Sequence, residues 1–227
     1  MTELQLLFNR CLEVFCELDL HINIEKSNCL RIGNRCHSFC KQICVNGISL
    51  NWASEAKYLG ITIKSSVKFV CNWQHSRGKF YKSVNGILGV LGSNSSVDVV
   101  LALIRANCIP VLTYAIATLA LTSNEVNHLT YAYNNIFCKL FKTTNIDVIE
   151  QCQYYCSFWP FYALYEYHRF VFLVAQYNNG LISHNNTYSQ TDFSDLQRLA
   201  TKYKFEFSDA KYKLKCKIWN YLESKIN

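Results

Sequence analysis

The sequence predicts an α+β protein, with a small antiparallel sheet and one helix at the N-terminus followed by a mainly α-helical bundle. Up to about residue 70, most apolar residues come in short runs that are typical of strands. After Val70 the apolar residues recur at the spacing of helices instead. Asn-Gly between two short apolar runs is the strongest short-range signal for a β-hairpin, so Asn46-Gly47 predicts one within the sheet.

The first predicted domain, residues 1–70, begins with an amphipathic helix. Its apolar positions recur at helical spacing: Leu4, Leu7, Phe8, Cys11, Leu12 and Phe15. The Asn46-Gly47 hairpin follows, because both positions tolerate positive φ. Residues 58–63 alternate in polarity and end in β-branched side chains, so they predict one further strand.

The second predicted domain, residues 71–180, contains only helices. One helix is expected from Trp73 to Leu91, and Ser123 is a candidate N-cap for a later one. The other helices are predicted over residues 98–107, 111–121, 125–141 and 162–177. The third domain, residues 181–227, starts with a polar loop to Phe193 and closes with helices over 196–203 and 209–223.

Composition restricts the classes of function. The 227 residues are 50% hydrophobic, and 23 Lys and Arg against 16 Asp and Glu give a net charge of +7. That balance suits a polyanionic partner without requiring one. Most of the 12 cysteines lie singly in apolar stretches, which favours reduced thiols over a disulfide-stapled secreted scaffold.

The N-terminus shows no signal-peptide pattern, and the apolar stretch over residues 108–121 is shorter than the roughly twenty residues of a membrane span. We therefore expect an intracellular protein, nuclear or cytoplasmic, with no membrane partner.

Several short motifs occur in a distinctive order. Ile24-Glu25-Lys26-Ser27 comes first, Lys57-Tyr58-Leu59-Gly60 second, and Arg77-Gly78-Lys79-Phe80-Tyr81 third. Cys108-Ile109-Pro110 and Asn134-Asn135-Ile136-Phe137 continue the series. Together, over roughly residues 4 to 185, they resemble the region that follows the active site in reverse transcriptases of LINE-like (non-LTR) retrotransposons.

The resemblance implies the end of a polymerase palm in residues 1–70, with a primer-grip-like strand, and a thumb-like helical bundle in residues 71–180. It implies a fragment of an RNA-directed DNA polymerase that binds RNA or an RNA–DNA template-primer. The palm and fingers segment of the same polymerase would be a further partner.

The chain departs from the family in its carboxylates. Nucleotidyl transfer uses two metal ions held by aspartates, and no Asp-Asp pair occurs here. The family supplies those carboxylates upstream of where this sequence begins. We therefore expect no catalytic residue, no metal ligand and no cofactor in this chain, with Mg²⁺ bound only alongside the upstream half. The isolated chain is expected to be inactive.

The resemblance also assigns nucleic-acid contacts. Lys26 matches a family lysine near the leaving pyrophosphate and is expected to contact a phosphate. Lys57, Tyr58 and Gly60 match the segment that holds the primer end, where a glycine lets the backbone approach nucleic acid closely.

Basic residues on the helix after the sheet are the remaining candidates. Arg77, Lys79 and Lys82 cluster within six positions. Lys79 and Lys82 share a helix face while Phe80 turns inward, and in the family this helix tracks the duplex backbone. Such contacts give affinity that falls with salt and carry little sequence preference.

Three alternatives remain open. Cys36, His37, Cys40 and Cys44 offer zinc-type ligands, although their spacing lacks the usual pairs. The aromatic block over residues 154–167 suits either base stacking or a core. Finally, the chain could be a catalytically inert remnant that serves as a helical protein-interaction module. Loss of the palm's central strands would then leave exposed apolar surface and marginal solubility.

Overall fold

The computed structural model describes residues 2–45, 47–91, 95–182, 190–206 and 211–226. The chain forms two compact units, Met1–His75 and Ser76–Asn227. Small sheets occur in the first unit and the second consists of helices, so the predicted α+β class is confirmed.

The first unit opens with helix α1, Thr2–Glu17, and a 3₁₀ helix, Ile24–Lys26. Its short strands are β1 (Asn28–Cys29), β2 (Cys44–Val45), β3 (Ile48–Ser49), β4 (Asn51–Trp52), β5 (Glu55–Tyr58), β6 (Ile61–Lys64) and β7 (Val70–Asn72). In the described residues these strands form three small sheets rather than one.

Two of the three sheets are antiparallel. β2 and β3 form the predicted hairpin, although Asn46 lies outside the described residues. β5, β6 and β7 form a three-stranded sheet. In the third sheet, β1 and β4 pair in parallel. Parallel strands need a long crossover connection, and the chain between β1 and β4 is long enough to provide one.

The prediction of a single strand over residues 58–63 was wrong. β5 ends at Tyr58, and Leu59 and Gly60 take positive φ values of 46° and 83° before β6 begins at Ile61. Two successive left-handed residues reverse the chain as in a type I′ turn, so the alternating pattern spans two strands.

The core of the first unit is small. Ile43, Val45 and Leu50 are buried, and Phe8 and Leu12 of α1 pack against them. The Gln5 side chain bonds both backbone groups of Cys44, at 2.8 Å to its carbonyl oxygen and 2.9 Å from its N–H. Other apolar side chains on and just after this helix are exposed, among them Leu4, Leu6, Leu7, Val14 and Leu18.

The remaining helices begin with α2 (Gln74–Leu91), which starts at the unit boundary. Then follow α3 (Val97–Asn107), α4 (Ile109–Thr113), a 3₁₀ helix (Ile116–Thr118), α5 (Ser123–Phe141), α6 (Ile146–Tyr155), α7 (Phe161–Asn178), α8 (Gln190–Tyr203) and α9 (Lys211–Ile226). In the second unit, α7 packs against α8 and α9 through buried apolar side chains that include Phe170, Leu199 and Ile218.

Two predicted helix boundaries need correction. The helix expected over residues 111–121 is broken, because Ala115 is left-handed at φ 57° and separates α4 from the second 3₁₀ helix. The N-cap of α5 is Thr122 rather than Ser123. Thr122 and Glu125 form a capping box, in which each side chain accepts a hydrogen bond from the other residue's backbone N–H.

Two helical segments were missed. α6 is capped by Asn145, whose Oδ1 accepts the N–H groups of Asp147 and Val148. α8 begins at Gln190, inside the segment that was predicted to be a loop. Its first turns are polar in sequence, but Leu196 and Leu199 bury completely and hold the helix in place.

Among the described residues, one helical stretch, Val97–Thr118, is long and apolar enough to cross a membrane by length and composition. Core helices of soluble proteins pass the same criterion. The helical conformation of this stretch is also interrupted, after Asn107 and at Ala115. The absence of a membrane partner stays a prediction.

Candidate nucleic-acid interface

The hairpin of β5 and β6 carries three of the residues predicted to contact nucleic acid. Lys57 pairs with Thr62 and Tyr58 with Ile61, and the turn residues Leu59 and Gly60 follow directly. Tyr58 and Leu59 are 65% and 70% exposed, and Lys57 and Gly60 are also exposed. The turn therefore presents an aromatic ring, an aliphatic side chain and a bare backbone to solvent.

Leu59 is strained in this turn. A left-handed conformation costs a residue with a Cβ roughly 1–2 kcal/mol, and asparagine or aspartate is the usual first residue of such a turn. A leucine that is exposed in this position contributes little to the core. Gly60, at φ 83°, meets the conformational need without that cost.

Lys57 also lies in a polar cleft of about 360 Å³ on one face of the three-stranded sheet. Thr62 pairs with both Lys57 and Asn72, so the three side chains follow one another across the strands. The Asn72 side chain bonds the Glu55 carboxylate at 3.2 Å and the Gln74 N–H at 3.0 Å. The cleft therefore offers fixed hydrogen-bonding groups together with one ammonium, that of Lys57, and one carboxylate, that of Glu55.

Lys26 is the fourth candidate in the first unit. It ends the 3₁₀ helix, where its backbone N–H donates to Oδ1 of Asn23 at 3.1 Å, and its side chain is exposed. Lys26 is thus accessible to an anion.

The other candidates lie on α2. Phe80 is fully buried and Val84 nearly so, while Lys79 and Lys82 are exposed. This arrangement matches the predicted division of the helix into an inward aromatic and an outward cationic face. Arg77 differs from the two lysines, because it is only partly exposed and its Nε atom is buried with no hydrogen-bond partner in the described residues.

The predicted contacts divide between the two units. The first unit contains Lys26, Lys57, Tyr58 and Gly60. The second unit contains the candidates on α2, which are Arg77, Lys79 and Lys82.

The predicted zinc alternative finds no support in the geometry. In the described part of the chain, no group of three or more His, Cys, Asp or Glu side chains is placed to hold a metal ion. Cys36, His37, Cys40 and Cys44 line an open cavity instead.

The aromatic block is mainly core. Phe158, Phe161 and Tyr165 are buried, and Tyr154 stacks on Trp219 with ring centroids 5.4 Å apart. Tyr155 is the exception, because it is 80% exposed.

Four of the isolated aspartates form ion pairs or lie at the start of a helix. Asp192 and Asp195 bond the buried Arg169, and Asp98 and Asp147 lie in the first turns of α3 and α6, where a negative charge is favourable. Asp209 lies outside the described residues. These four described aspartates thus lie where their charges stabilise the fold.

No protein-family model, no curated protein and no solved structure matches this chain.

Proposed function

We propose that the chain is the post-catalytic portion of a LINE-like reverse transcriptase, comprising the end of the palm and a thumb. Its own activity is to bind the backbone of an RNA or RNA–DNA template-primer. We assign it no catalytic residue. Metal-dependent synthesis would require the palm and fingers segment, whose aspartates would hold Mg²⁺.

The turn after Tyr58 carries this proposal. The motif Lys57-Tyr58-Leu59-Gly60, which is part of the resemblance in sequence, forms a tight turn with a strained and exposed tip. A support for a primer end needs a rigid projection that nucleic acid can approach closely. Gly60 supplies the close approach, while Tyr58 and Leu59 offer apolar surface to a sugar or base.

The cationic face of α2 supplies the second contact. Lys79 and Lys82 are three residues apart on a helix of 18 residues and both point to solvent. Ammonium groups in such a row neutralise successive phosphates and release counterions, which gives affinity without sequence preference.

The test measures the binding of a fluorescein-labelled RNA–DNA hybrid by anisotropy from low to moderate salt. The unmodified chain is expected to bind with an affinity that falls steeply with salt. Lys79→Gln combined with Lys82→Gln should weaken binding and reduce the salt slope by roughly 2, because each lysine that no longer neutralises a phosphate lowers the slope by about 1.

The matched control removes two exposed lysines from another helix of the same unit, with Lys213→Gln and Lys215→Gln on α9. The α2 pair should cost distinctly more affinity than the α9 pair. Equal losses would mean that only net charge matters, and the α2 assignment would then be wrong. No binding at low salt would reject the template-primer proposal as a whole.

The exposed apolar residues of α1 favour a second candidate function. Leu6 and Leu7 are 67% and 62% exposed, although the adjoining Phe8 packs inward. An inert remnant that acts as a protein-interaction module would use such a face. Self-association that is abolished by Leu6→Gln with Leu7→Gln, together with no affinity for the hybrid, would support this alternative.

A further inference from the structure

A cavity of about 820 Å³ opens in the first unit beside the β2–β3 hairpin. Its lining includes Arg31, His37, Phe39, Lys41 and Trp52. Among the described residues that line it none is acidic, so the charged groups at its wall are cationic. Its volume is within the range of small-ligand sites, roughly 300–1,000 Å³. None of the residues assigned above to the template-primer lines it.

Arg31 is held rigidly in this wall. Its Nη1 donates both hydrogens to backbone carbonyls, those of Arg35 and of Ser38, the latter at 2.6 Å. The guanidinium also lies over the Trp52 ring, 5.4 Å from its centroid. The indole is held in turn, because its Nε1 donates to the Lys41 carbonyl at 3.4 Å.

This anchoring leaves one edge of the guanidinium unused. Within the described residues, both hydrogen bonds of Arg31 are made by Nη1, so the Nε–Nη2 edge has no protein partner. That edge is the fork that binds two oxygens of a phosphate or carboxylate side by side. Because the side chain is already fixed, binding an anion costs little further conformational entropy.

Phe39 gives the cavity a second kind of contact. It is 99% exposed, which is costly for a large apolar ring that lines a cavity. A free aromatic face beside cationic groups is the combination that single-stranded nucleic-acid sites use, with a base on the ring and the phosphate on the cation. Lys41 is exposed on the same wall and adds a second positive charge.

We propose that this cavity binds one nucleotide unit, with its phosphate on the Nε–Nη2 edge of Arg31 and on Lys41 and its base stacked on Phe39. The site is separate from the template-primer contacts and does not depend on them. Its ligand is either a free nucleotide or one unit of a single strand.

The experiment uses the full chain and a fluorescein-labelled uridine octamer, with binding followed by anisotropy. Phe39→Ser combined with Lys41→Gln, the cavity pair, should weaken binding by roughly tenfold. This variant can neither stack the base nor pair with the phosphate through Lys41. The matched control is Phe69→Ser with Lys68→Gln, which makes the same chemical change at exposed residues outside the cavity. The control pair should retain the affinity of the unmodified chain.

Competition separates the two sources of the nucleotide. Displacement of the octamer by uridine monophosphate identifies a free nucleotide as a ligand. Failure of the mononucleotide to compete, together with the tenfold loss in the cavity pair, identifies a unit within a strand. If inorganic phosphate competes as well as uridine monophosphate, the base contact is refuted and the proposal fails.

Other outcomes also overturn the proposal. The cavity pair and the control pair could bind equally, or the octamer could fail to bind the unmodified chain. A loss that occurs with Lys79→Gln and Lys82→Gln but not with the cavity pair would remove this site and leave the α2 contact in place. Arg31→Lys adds a further check, because it keeps the charge but removes the fork, and roughly tenfold weaker binding is expected.

Discussion

The guanidinium of Arg169 on α7, only 1% exposed, donates from Nε to Oδ2 of Asp195 on α8 at 3.2 Å. Its Nη2 donates to Asp192 at 2.5 Å, and its Nη1 donates to the Ala117 carbonyl oxygen at 3.0 Å. One buried cation therefore connects α7 to the first turns of α8 and to the 3₁₀ helix over Ile116–Thr118. Its five N–H donors suit this task better than a lysine ammonium would.

Arg169→Met is predicted to lower the free energy of unfolding by about 3–5 kcal/mol, because it removes three hydrogen bonds of a buried guanidinium, those to Asp192, to Oδ2 of Asp195 and to the Ala117 carbonyl. Arg198→Met is the control. Arg198 also contacts Asp195, at 2.6 Å, but its side chain is 54% exposed, so the loss should be about 0–1 kcal/mol. Denaturant unfolding followed by circular dichroism measures both. Equal losses would show that burial does not set the strength of these ion pairs.

Burial raises the pKa of Tyr162 to about 12, and the nearby carboxylate of Glu150 adds to the shift. The folded state therefore favours the neutral phenol more strongly than the unfolded chain does. That contribution to stability is fully present below the unfolded pKa, near 10, and it is lost as the pH rises through the folded value.

We predict that the free energy of unfolding declines between about pH 10 and pH 12, and that Tyr162→Phe makes the decline shallower. Tyr212→Phe serves as the control, since Tyr212 is 67% exposed. Unfolding midpoints measured across this window provide the test. An unchanged decline in the Tyr162 variant would contradict the assignment.

Thr122 and Ser123 are adjacent exposed residues at the start of α5, and Thr122 is the N-cap. Thr122→Ala should cost about 1 kcal/mol, because it removes the hydroxyl that accepts the Glu125 N–H. Ser123→Ala should change stability little, although the sequence pattern favours Ser123 as the cap. Denaturation midpoints of the two variants decide between them. A larger loss from Ser123→Ala would restore the sequence-based assignment.

Local patterns in the sequence were sufficient for the elements that depend on local energetics. The spacing of apolar residues placed α2 to within a residue of its start, and it predicted that Phe80 turns inward while Lys79 and Lys82 face solvent. The β2–β3 hairpin also followed from its turn signal and flanking apolar runs. In each case neighbours close in sequence determine the structure.

Contacts between distant residues were not predictable in this way. Arg169 meets a carbonyl 52 positions earlier, and Gln5 meets a backbone 39 positions later. The break at Ala115 and the partial burial of Arg77 likewise follow from packing that no short pattern encodes. The cavity was missed because the segment that carries Phe39 and Lys41 meets Arg31 and Trp52 only in the folded unit.

Leu59 is the residue with a Cβ in the left-handed turn between β5 and β6. Leu59→Asn should raise the free energy of unfolding by about 1 kcal/mol, because asparagine tolerates the left-handed conformation and the leucine side chain that it replaces is 70% exposed. Leu20→Asn is the control at a leucine that is 54% exposed and does not have positive φ. It should change stability by less than about 0.5 kcal/mol.

A turn retained only for folding would gain stability from Leu59→Asn with no other consequence. If the tip supports a primer end, the same variant should weaken binding of the RNA–DNA hybrid, so that stability and affinity move in opposite directions. Denaturant unfolding and anisotropy on one preparation measure both. Greater stability with unchanged affinity would show that Leu59 is not part of the nucleic-acid contact, and lower stability would show that the turn is not strained.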